Sequence, residues 1–246
     1  MNKAEKIWTE DAEKMKSFLL QELKETGTAW KTLIEQSLEN GQRGKFLDVG
    51  CGTGFLSFLL ASIGGEVIAI DNNVAMLEEA EKTSEGFGFS DKIIFMHKDA
   101  EVTEFDENTF DAVVSRNAFW LFRRPKKVYR EWFRILRPGG VFLNFDANWM
   151  FPFWGEKEAK LFQSDEDALI KQYGAFQDYY HNADMMEEFK KLPLSDMKRP
   201  EWDLKVCGEM GFRNITAEIL AQERYWNPFL ALRYRHMPTF FVRAKK

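Results

Sequence analysis

Cysteine is scarce in this sequence, because 246 residues contain only Cys51 and Cys207. Two cysteines cannot form the disulfide framework of a small secreted domain, which favours a reducing compartment. Long hydrophobic runs are also missing, since the most apolar stretch, residues 55–63, is too short to cross a bilayer. The N-terminal segment lacks the apolar region of a signal peptide. We therefore expect a soluble, cytoplasmic protein without a membrane span.

A large excess of one charge is missing as well. The chain has 34 Lys and Arg against 39 Asp and Glu, which gives a net charge of −5. Proteins that wrap nucleic acid usually carry a strong positive excess, so we do not expect a nucleic-acid partner. Basic residues do cluster on one predicted helix, which we interpret as a solvated face, with an RNA surface as the alternative. The clustered residues are Arg123, Arg124, Lys126, Lys127, Arg130, Arg134 and Arg137.

Strand-like and helix-like segments alternate along most of the chain. Strands are predicted at 45–49, 66–70, 92–96, 110–115 and 141–145, and helices at 4–23, 28–38, 55–63, 74–83 and 125–136. This alternation is typical of right-handed βαβ units and a parallel sheet covered on both faces. A turn is expected at 138–140, and the aromatic-rich residues 149–192 predict a helical insert. A helix at 200–210 and an antiparallel strand pair, 214–220 and 238–244, are predicted to follow.

A glycine-rich segment, GCGTG at 50–54, joins the first predicted strand to the next helix. Glycines let the backbone turn tightly and approach a ligand, and a helix N-terminus offers free N–H groups. The segment is not a dinucleotide fingerprint, because Phe55 stands where the third glycine would be. It is not a P-loop either, because no Lys-Ser/Thr pair follows. Phe55 would obstruct a pyrophosphate, so the loop favours a ligand without one.

A carboxylate follows the second predicted strand. Asp71 stands at its carboxyl end, where it can accept hydrogen bonds from two ribose hydroxyls. Together with the glycine loop after the preceding strand, Asp71 predicts an adenosine-type ligand. The alternative is a tight turn beside a solvated aspartate.

Five motifs in this region resemble those of class I S-adenosylmethionine-dependent methyltransferases, in the type 11 or ubiquinone-biosynthesis-like group. They are FLDVGCGTG at 46–54, IAID at 68–71, KDAE at 98–101, FDAVVS at 110–115 and LRPGG at 136–140. The resemblance implies an α/β, Rossmann-like, mostly parallel seven-stranded sheet in the order 3-2-1-4-5-7-6. With the helical segments, this predicts one methyltransferase domain over 1–246. Its parts would be N-terminal helices (1–44), a cofactor-binding core (45–146), an acceptor-side helical insert after strand five (147–199), and a last helix with terminal strands (200–246).

The same resemblance implies S-adenosyl-L-methionine as the cofactor and S-adenosyl-L-homocysteine as its product, and no metal site is expected. In the glycine loop, it places Gly50, Cys51 and Gly52 at the methionine moiety of the cofactor. It implies that Asp48 orders this loop or binds the cofactor's amino group, and the alternative is that Asp48 caps the next turn. We interpret Cys51 as a small loop residue and not as a nucleophile.

The resemblance implies further cofactor contacts at the ends of strands two, three and four. Asp71 would bind the ribose, and Asn72 would flank the adenine. Asp99 and Ala100 would read the adenine edge, with Asp99 accepting from the exocyclic amine. Ser115 would lie near the transferable methyl group, and the alternative is a strand-end hydroxyl that is bonded within the sheet.

Acceptor-side residues are expected in the loops after strands four and five and in the insert, because ligands of open α/β sheets bind beyond the carboxyl ends of the strands. His181 could instead have a core or surface role, and the aromatic rings of the insert could form a small core. Trp8 and Trp30 could close the site or pack in the core. The acceptor-side candidates are Arg116, Asn117, Trp120, Asp146, Asn148, Trp149, Tyr173, Tyr179, Tyr180 and His181.

These inferences predict a methyltransferase that transfers a methyl group to a small-molecule acceptor by in-line displacement. An apolar or aromatic acceptor, or a cation held by ring faces, would suit the aromatic insert. The alternatives are methylation of RNA or protein, and a regulator that binds the cofactor without turnover. The sequence does not identify the acceptor, its nucleophilic atom, a general base or the oligomeric state.

Overall fold

A seven-stranded sheet organises the protein in the computed structural model, which describes residues 8–9, 11–38 and 44–246. Strands β1 to β5 pair in parallel, whereas β7 is antiparallel to both β5 and β6. The order β3-β2-β1-β4-β5-β7-β6 confirms the predicted sheet. The strands are β1 (Lys45–Val49), β2 (Glu66–Asp71), β3 (Ile93–His97), β4 (Phe110–Arg116), β5 (Leu136–Asp146), β6 (Arg213–Ile219) and β7 (Phe240–Lys245).

Helices cover both faces of the sheet. They are α1 (Ala12–Ser37), α2 (Phe55–Ser62), α3 (Val74–Phe87), α4 (Pro125–Ile135), α5 (Glu156–Tyr173), α6 (Ala183–Phe189), α7 (Glu201–Glu209), α8 (Gln222–Tyr225) and α9 (Pro228–Arg233). On one face, Trp30 of α1 and Phe55 of α2 pack in a core with Phe145 of β5. On the other face, Tyr129 of α4 packs with Phe142 of β5. A third apolar cluster joins the loops after β4 and β5 to the insert and α9.

The strand order reverses between β1 and β4. From β1 the chain proceeds to β2 and β3 on one side, and β4 then begins the other half of the sheet. The loops after β1 and β4 therefore diverge and leave a crevice at the carboxyl ends of the strands, where open α/β sheets bind ligands.

The N-terminal helix differs from the prediction. One unbroken helix, α1, replaces the two helices predicted at 4–23 and 28–38. Residues 4–7 of the first predicted helix and the predicted stop at 40–41 lie outside the described residues. Gly27 does not end α1, because a helical glycine costs only about 1 kcal/mol relative to alanine and burial of one helix face outweighs that cost.

Two connections also differ from the prediction. The strand β5 begins at Leu136, which pairs with Phe110, and after a shift in register Val141 pairs with Ala112. Residues 138–140 therefore form an irregular part of the strand and not a separate turn. The strands β6 and β7 are antiparallel as predicted, but α8 and α9 lie between them in the sequence.

Candidate functional site

A cavity of about 1020 Å³ opens at the carboxyl ends of β1, β2 and β4. Its walls come from the glycine loop, from the loops after β2 to β5, and from α1, the insert and the C-terminal helices. Ligand pockets commonly measure about 300–1,000 Å³, so this cavity lies at the upper end of that range.

The glycine loop is anchored on β2 by backbone hydrogen bonds. The N–H groups of Gly50 and Cys51 donate to the carbonyl oxygen of Ile70 at 2.9 and 3.1 Å. Gly50 and Gly52 have φ angles of +68° and +53°, in the left-handed region. A Cβ on Gly50 would lie 2.5 Å from the Cβ of Ala118, whereas a Cβ on Gly52 would have no atom within 4 Å. Gly50 therefore permits close packing of two loops, and Gly52 leaves space open on the cavity side.

Asp71 joins the glycine loop to the start of α3. Its Oδ2 accepts a hydrogen bond from the N–H of Gly52 at 2.8 Å, and its Oδ1 accepts one from the N–H of Asn73 at 2.9 Å. Burial raises the pKa of Asp71, and these backbone hydrogen bonds oppose the shift. An ionised carboxylate has about four acceptor sites, and the backbone of Gly52, Asn72 and Asn73 already binds Asp71, so Asp71 keeps acceptor capacity for a ligand hydroxyl group.

Asp48 is a second carboxyl group in the cavity wall, and only 1% of it is exposed. It accepts a hydrogen bond from the Ser57 hydroxyl of α2 at 2.6 Å, which ties β1 to the helix after the glycine loop. Burial raises the pKa of Asp48 to about 7, against the hydrogen bonds from Ser57 and with a contribution from nearby Asp71. Asp48 therefore changes charge near neutral pH.

Asn72, Asp99 and Ala100 lie together in the wall formed by the loops after β2 and β3. These loops start side by side, because Asp71 and His97 are partners in the register of the two strands. The Oδ1 of Asp99 accepts a hydrogen bond from the N–H of Glu101 at 2.7 Å, which fixes the turn that presents it. The structure thus brings the predicted adenine-side residues to one end of the cavity.

Ser115 does not line the cavity, contrary to its predicted place near the methyl group. It is fully buried, and its hydroxyl donates to the carbonyl oxygen of Val49 at 2.8 Å, between β4 and β1. The side chain is directed into the sheet, which is the alternative considered for it. Cys51 does line the cavity, but burial raises the pKa of its thiol well above the ordinary value, so the thiol remains protonated.

Four of the acceptor-side candidates in the loops after β4 and β5 line the cavity: Arg116, Asn117, Trp120 and Trp149. The Nε1 of Trp120 donates to the carbonyl oxygen of Asn117 at 3.1 Å, which closes the loop after β4 on itself. Tyr179 reaches the same cavity from the insert. The rings of Trp120, Trp149 and Tyr179 give this part of the cavity an aromatic wall.

The remaining acceptor-side candidates do not line the cavity. Asp146 accepts a hydrogen bond from the guanidinium of Arg199 at 2.5 Å. The side-chain amide of Asn148 donates to the carbonyl oxygen of Arg199 at 2.8 Å. Tyr173 is 44% exposed and packs against Phe229 with ring centroids 5.4 Å apart. The loop candidates were misplaced because residues near a strand end can be directed away from the ligand edge.

Tyr180 and His181 stabilise the insert itself and are also absent from the cavity wall. The Tyr180 hydroxyl donates to the carbonyl oxygen of Trp149 at 2.7 Å. His181 lies between Glu166 and Asp178, at 2.8 and 2.9 Å. Burial acts to lower the pKa of His181, but the two carboxylates outweigh it and the pKa is raised. Both residues therefore have the structural role that was the alternative.

A buried ion pair joins α1 to the loop after β4. Both Nη atoms of Arg116 donate to the carboxylate of Glu22, and the two side chains are 8% and 7% exposed. The guanidinium lies over the rings of Phe55, Trp30 and Trp226, at 4.1, 4.5 and 5.0 Å from their centroids. Both members of the pair line the cavity, so the positive charge of Arg116 is neutralised there by Glu22.

The sequence indicated that the N-terminal tryptophans could close the site, but it did not reveal the other cavity residues of α1 or those of the C-terminal helices. Of the two N-terminal tryptophans, Trp8 lines the cavity and Trp30 is buried in the core. The apolar spacing of α1 was visible, but the side that it turns to the cavity depends on packing across the sheet. The missed residues include Met15, Phe18, Leu19, Glu22, Trp226, Leu230 and Tyr234.

Comparison with known proteins agrees with this geometry. A family model described as a methyltransferase domain matches residues 47–144, which contain the glycine loop, Asp71, the strands β2 to β4 and parts of β1 and β5. Residues 47–144 therefore form a methyltransferase domain. The family predicted from the sequence is thus confirmed, and S-adenosylmethionine is the cofactor of that family.

Curated relatives of the methyltransferase domain match only part of their own length. The ubiquinone/menaquinone biosynthesis C-methyltransferase UbiE of Blochmanniella floridana is 34% identical over 120 residues, which are 48% of this chain and 47% of that protein. A sterol 24-C-methyltransferase of Yarrowia lipolytica is 37% identical over 99 residues, which are 40% of this chain and 26% of that protein. The chain therefore matches about half or less of these relatives.

Solved structures share the fold of the methyltransferase domain over more of the chain. A protein of Methanococcus maripaludis, provisionally assigned as an S-adenosyl-L-methionine-dependent methyltransferase, has a TM-score of 0.65 and 19% identity, covering 97% of this chain and 93% of that one. The phosphoethanolamine N-methyltransferase 2 of Haemonchus contortus, in complex with phosphomonomethylethanolamine and S-adenosylhomocysteine, has a TM-score of 0.61 and 16% identity, covering 87% and 52%. These likenesses show the fold.

The described part of the chain has neither a helix suited to crossing a membrane nor a cluster of metal-ligating side chains. Among residues 8–9, 11–38 and 44–246, no helix combines the length and hydropathy that a bilayer crossing requires. In the same residues, no three His, Cys, Asp or Glu side chains are grouped so that they could hold a metal ion.

Proposed function

We propose that this protein transfers a methyl group from S-adenosyl-L-methionine to an uncharged, largely apolar small molecule. The observation that carries the proposal is one continuous cavity, which joins the glycine loop and Asp71 to an aromatic wall under the insert. The cofactor would occupy the first part and the acceptor the second, with the sulfonium methyl group between them. The two curated relatives named above are C-methyltransferases, which supports a small-molecule acceptor.

The cofactor end fits an adenosyl group with an amino-acid tail. Asp71 would accept hydrogen bonds from the two ribose hydroxyls, and Asp99 and Ala100 would contact the adenine edge. The open space beside Gly52 would take the methionine moiety. Asp48, once ionised, would attract the positively charged amino group.

The acceptor end carries little net charge. Glu22 neutralises Arg116, and Glu188 pairs with Lys191 at 2.8 Å. Burying apolar surface against such a wall stabilises a ligand by about 25 cal/mol per Å². The buried cation of this end, Arg116, is already paired with a carboxylate, which favours an uncharged acceptor. The aromatic residues of this end are Trp8, Trp120, Trp149, Tyr179, Phe189, Trp226 and Tyr234.

The basic face of α4 gives little support for RNA as the acceptor. Four of the seven cations clustered on and beside this helix form ion pairs with carboxylates of this chain, and such pairing is typical of a solvated helix face. The pairs are Arg124 with Glu101, Lys126 with Glu209, Arg134 with Glu131, and Arg137 with Asp111.

The chemistry requires positioning more than activation. A sulfonium already carries its leaving group: the acceptor forms the new bond to the methyl carbon, the electron pair of the S–CH₃ bond stays on the sulfur of S-adenosyl-L-homocysteine, and an uncharged acceptor loses a proton. The protein therefore needs to hold the acceptor atom in line with the S–CH₃ bond at about 3 Å and to exclude bulk water. The helix α1 covers the cavity, and the Glu22–Arg116 pair fixes it to the loop after β4. This closure would hold both ligands and keep water away from the transferred methyl group.

The test has two steps. Calorimetry with S-adenosyl-L-homocysteine should show one binding site per chain, and the variant Asp71→Ala should bind much more weakly. Incubation with methyl-labelled S-adenosyl-L-methionine and a fractionated metabolite extract should then label apolar fractions. Binding without label in any fraction would favour a regulator, and label in RNA or protein would favour the alternative acceptors. No binding of the cofactor product at all would refute the proposal.

A further inference from the structure

Asp146, at the end of β5, is a fully buried carboxylate with four hydrogen-bond donors around it. Its Oδ2 accepts from the N–H of Trp120 at 3.0 Å and from a guanidinium nitrogen of Arg199 at 2.5 Å. Its Oδ1 accepts from the indole Nε1 of Trp149 at 2.7 Å and from the N–H of Ala147 at 3.0 Å. One side chain thus binds the loop after β4 and the loop after β5.

Both tryptophans bound by Asp146 line the acceptor end of the cavity, although Asp146 itself does not. We propose that Asp146 is a positioning residue, which fixes Trp120 and Trp149 relative to each other and so sets the shape of the acceptor site. This inference rests on the proposed function in one respect, because only that proposal identifies this end of the cavity as the acceptor site. The fixed wall itself follows from the hydrogen bonds.

Arg199 holds the carboxylate in this orientation. It donates to Asp203 through Nε and Nη2, both at 2.8 Å, and its guanidinium lies 5.1 Å from the ring centroids of Phe119 and Phe240. The backbone of Arg199 is bonded to Asn148, which follows β5 closely. The arginine is therefore immobilised from several sides and supports Asp146 from behind the wall.

An aspartate is required here because all four neighbours are donors. Asparagine has nearly the same shape, but one of its oxygens is replaced by an NH₂ group. In either orientation of the amide, its NH₂ group faces two of the four donors and cannot accept hydrogen bonds from them. The variant Asp146→Asn would therefore release either Trp120 or Trp149 while it leaves the cofactor end intact.

Asp203→Asn is the matched control. Asp203 is equally buried and binds the same arginine, but its other partner is the hydroxyl of Tyr129, at 2.5 Å, which does not line the cavity. A purely structural role in pairing Arg199 predicts similar consequences for both variants. A positioning role predicts an effect on the acceptor end for Asp146 alone.

The experiment measures two ligands on the intact protein: S-adenosyl-L-homocysteine by calorimetry, and the uncharged fluorescent dye N-phenyl-1-naphthylamine by titration in its presence. Asp146→Asn should weaken dye binding about tenfold or more and change the affinity for S-adenosyl-L-homocysteine by less than about twofold. Asp203→Asn should change dye affinity by less than about twofold. Equal effects of both variants on the dye, an unchanged dye affinity in Asp146→Asn, or no dye binding by the unaltered protein would overturn the inference. Failure of the unaltered protein to bind S-adenosyl-L-homocysteine would instead refute the proposed function.

A second pair of variants serves if Asp146→Asn does not fold. Trp149→Phe removes one donor to Asp146 and keeps an aromatic ring, whereas Trp154→Phe removes an indole that donates to the carbonyl oxygen of Ser195 away from the cavity. The first should weaken dye binding several-fold and the second should not. Equal dye affinities for the two variants would also overturn the inference.

Discussion

Replacing Asp48 with asparagine removes a buried group that changes charge near neutral pH. Its pKa is about 7 in the folded protein and 3.8 for an ordinary aspartate. The folded state therefore binds this proton more tightly, and the group's contribution to stability falls as pH rises from about 4 to 7. The difference corresponds to about 4 kcal/mol of free energy of unfolding at pH 8. Asp48→Asn should lack this loss, so its stability relative to the unaltered protein should be higher at pH 8 than at pH 5.

The same residue should make cofactor binding depend on pH. If the positively charged amino group of S-adenosyl-L-homocysteine binds the ionised form of Asp48, affinity rises with pH and a proton is released on binding. For a pKa near 7, the apparent Kd at pH 6 should be about tenfold that at pH 8. Asp48→Asn should bind more weakly at pH 8 and show little of this dependence.

Two assays check this reasoning. Urea unfolding at pH 5 and pH 8 measures the stability difference, and calorimetry in buffers of different ionisation enthalpy measures the proton release. Asp203→Asn, which alters a buried acid that does not line the cavity, serves as the control and should keep the pH dependence of binding. Parallel pH profiles for the unaltered protein and Asp48→Asn, in both stability and binding, would refute the assignment.

Three further predictions concern the same cavity. Gly52→Ala should lose about 1 kcal/mol of folding stability, because its backbone has a positive φ, and it should bind S-adenosyl-L-homocysteine at least about tenfold more weakly. Gly50→Ala should lower Tm more than Gly52→Ala, because its Cβ would clash with the loop after β4. Equal losses of Tm in the two variants would contradict this distinction. Asp71→Ala should weaken the same ligand by about 1.5–3 kcal/mol in calorimetry, and an unchanged Kd would contradict the ribose contact. Glu22→Gln should reduce the free energy of unfolding, measured in urea, by about 3–5 kcal/mol, because it leaves the charge of Arg116 buried and unpaired. The double variant that adds Arg116→Met should recover most of that loss. An equally unstable double variant would show that charge pairing is not the cause.

Much of the fold could be predicted because the strands are recognisable from the local sequence. The strand β1 was predicted with its observed bounds, since a short apolar run that ends in a glycine loop leaves little freedom. The sheet order followed from the family resemblance and not from periodicity. The errors lie where tertiary packing decides: Gly27 remains helical within α1, and α8 and α9 fill a connection that was expected to be a plain hairpin.

The cofactor end of the site was predicted better than the acceptor end for a physical reason. The positions of Asp71 and Asp99 depend on the ends of adjacent parallel strands, which the sequence reveals. The acceptor end depends on how α1, the insert and α9 pack over those ends. Ser115 and Asp146 show the difficulty, because a polar residue near a strand end can face the interior as well as the ligand.

The place of β7 in the sheet has a consequence for how the protein folds. The strand β5 gains its second neighbour only when residues 240–245 insert between it and β6. Every element from the insert to α9 separates β5 from β7 in the sequence, and pairing over such a separation is slow. Until it occurs, one edge of β5 offers unpaired backbone groups next to buried aromatic side chains, a template on which another chain can add. We therefore expect self-association during folding mainly before β7 pairs with β5. Conditions that speed this pairing should raise the yield of soluble protein.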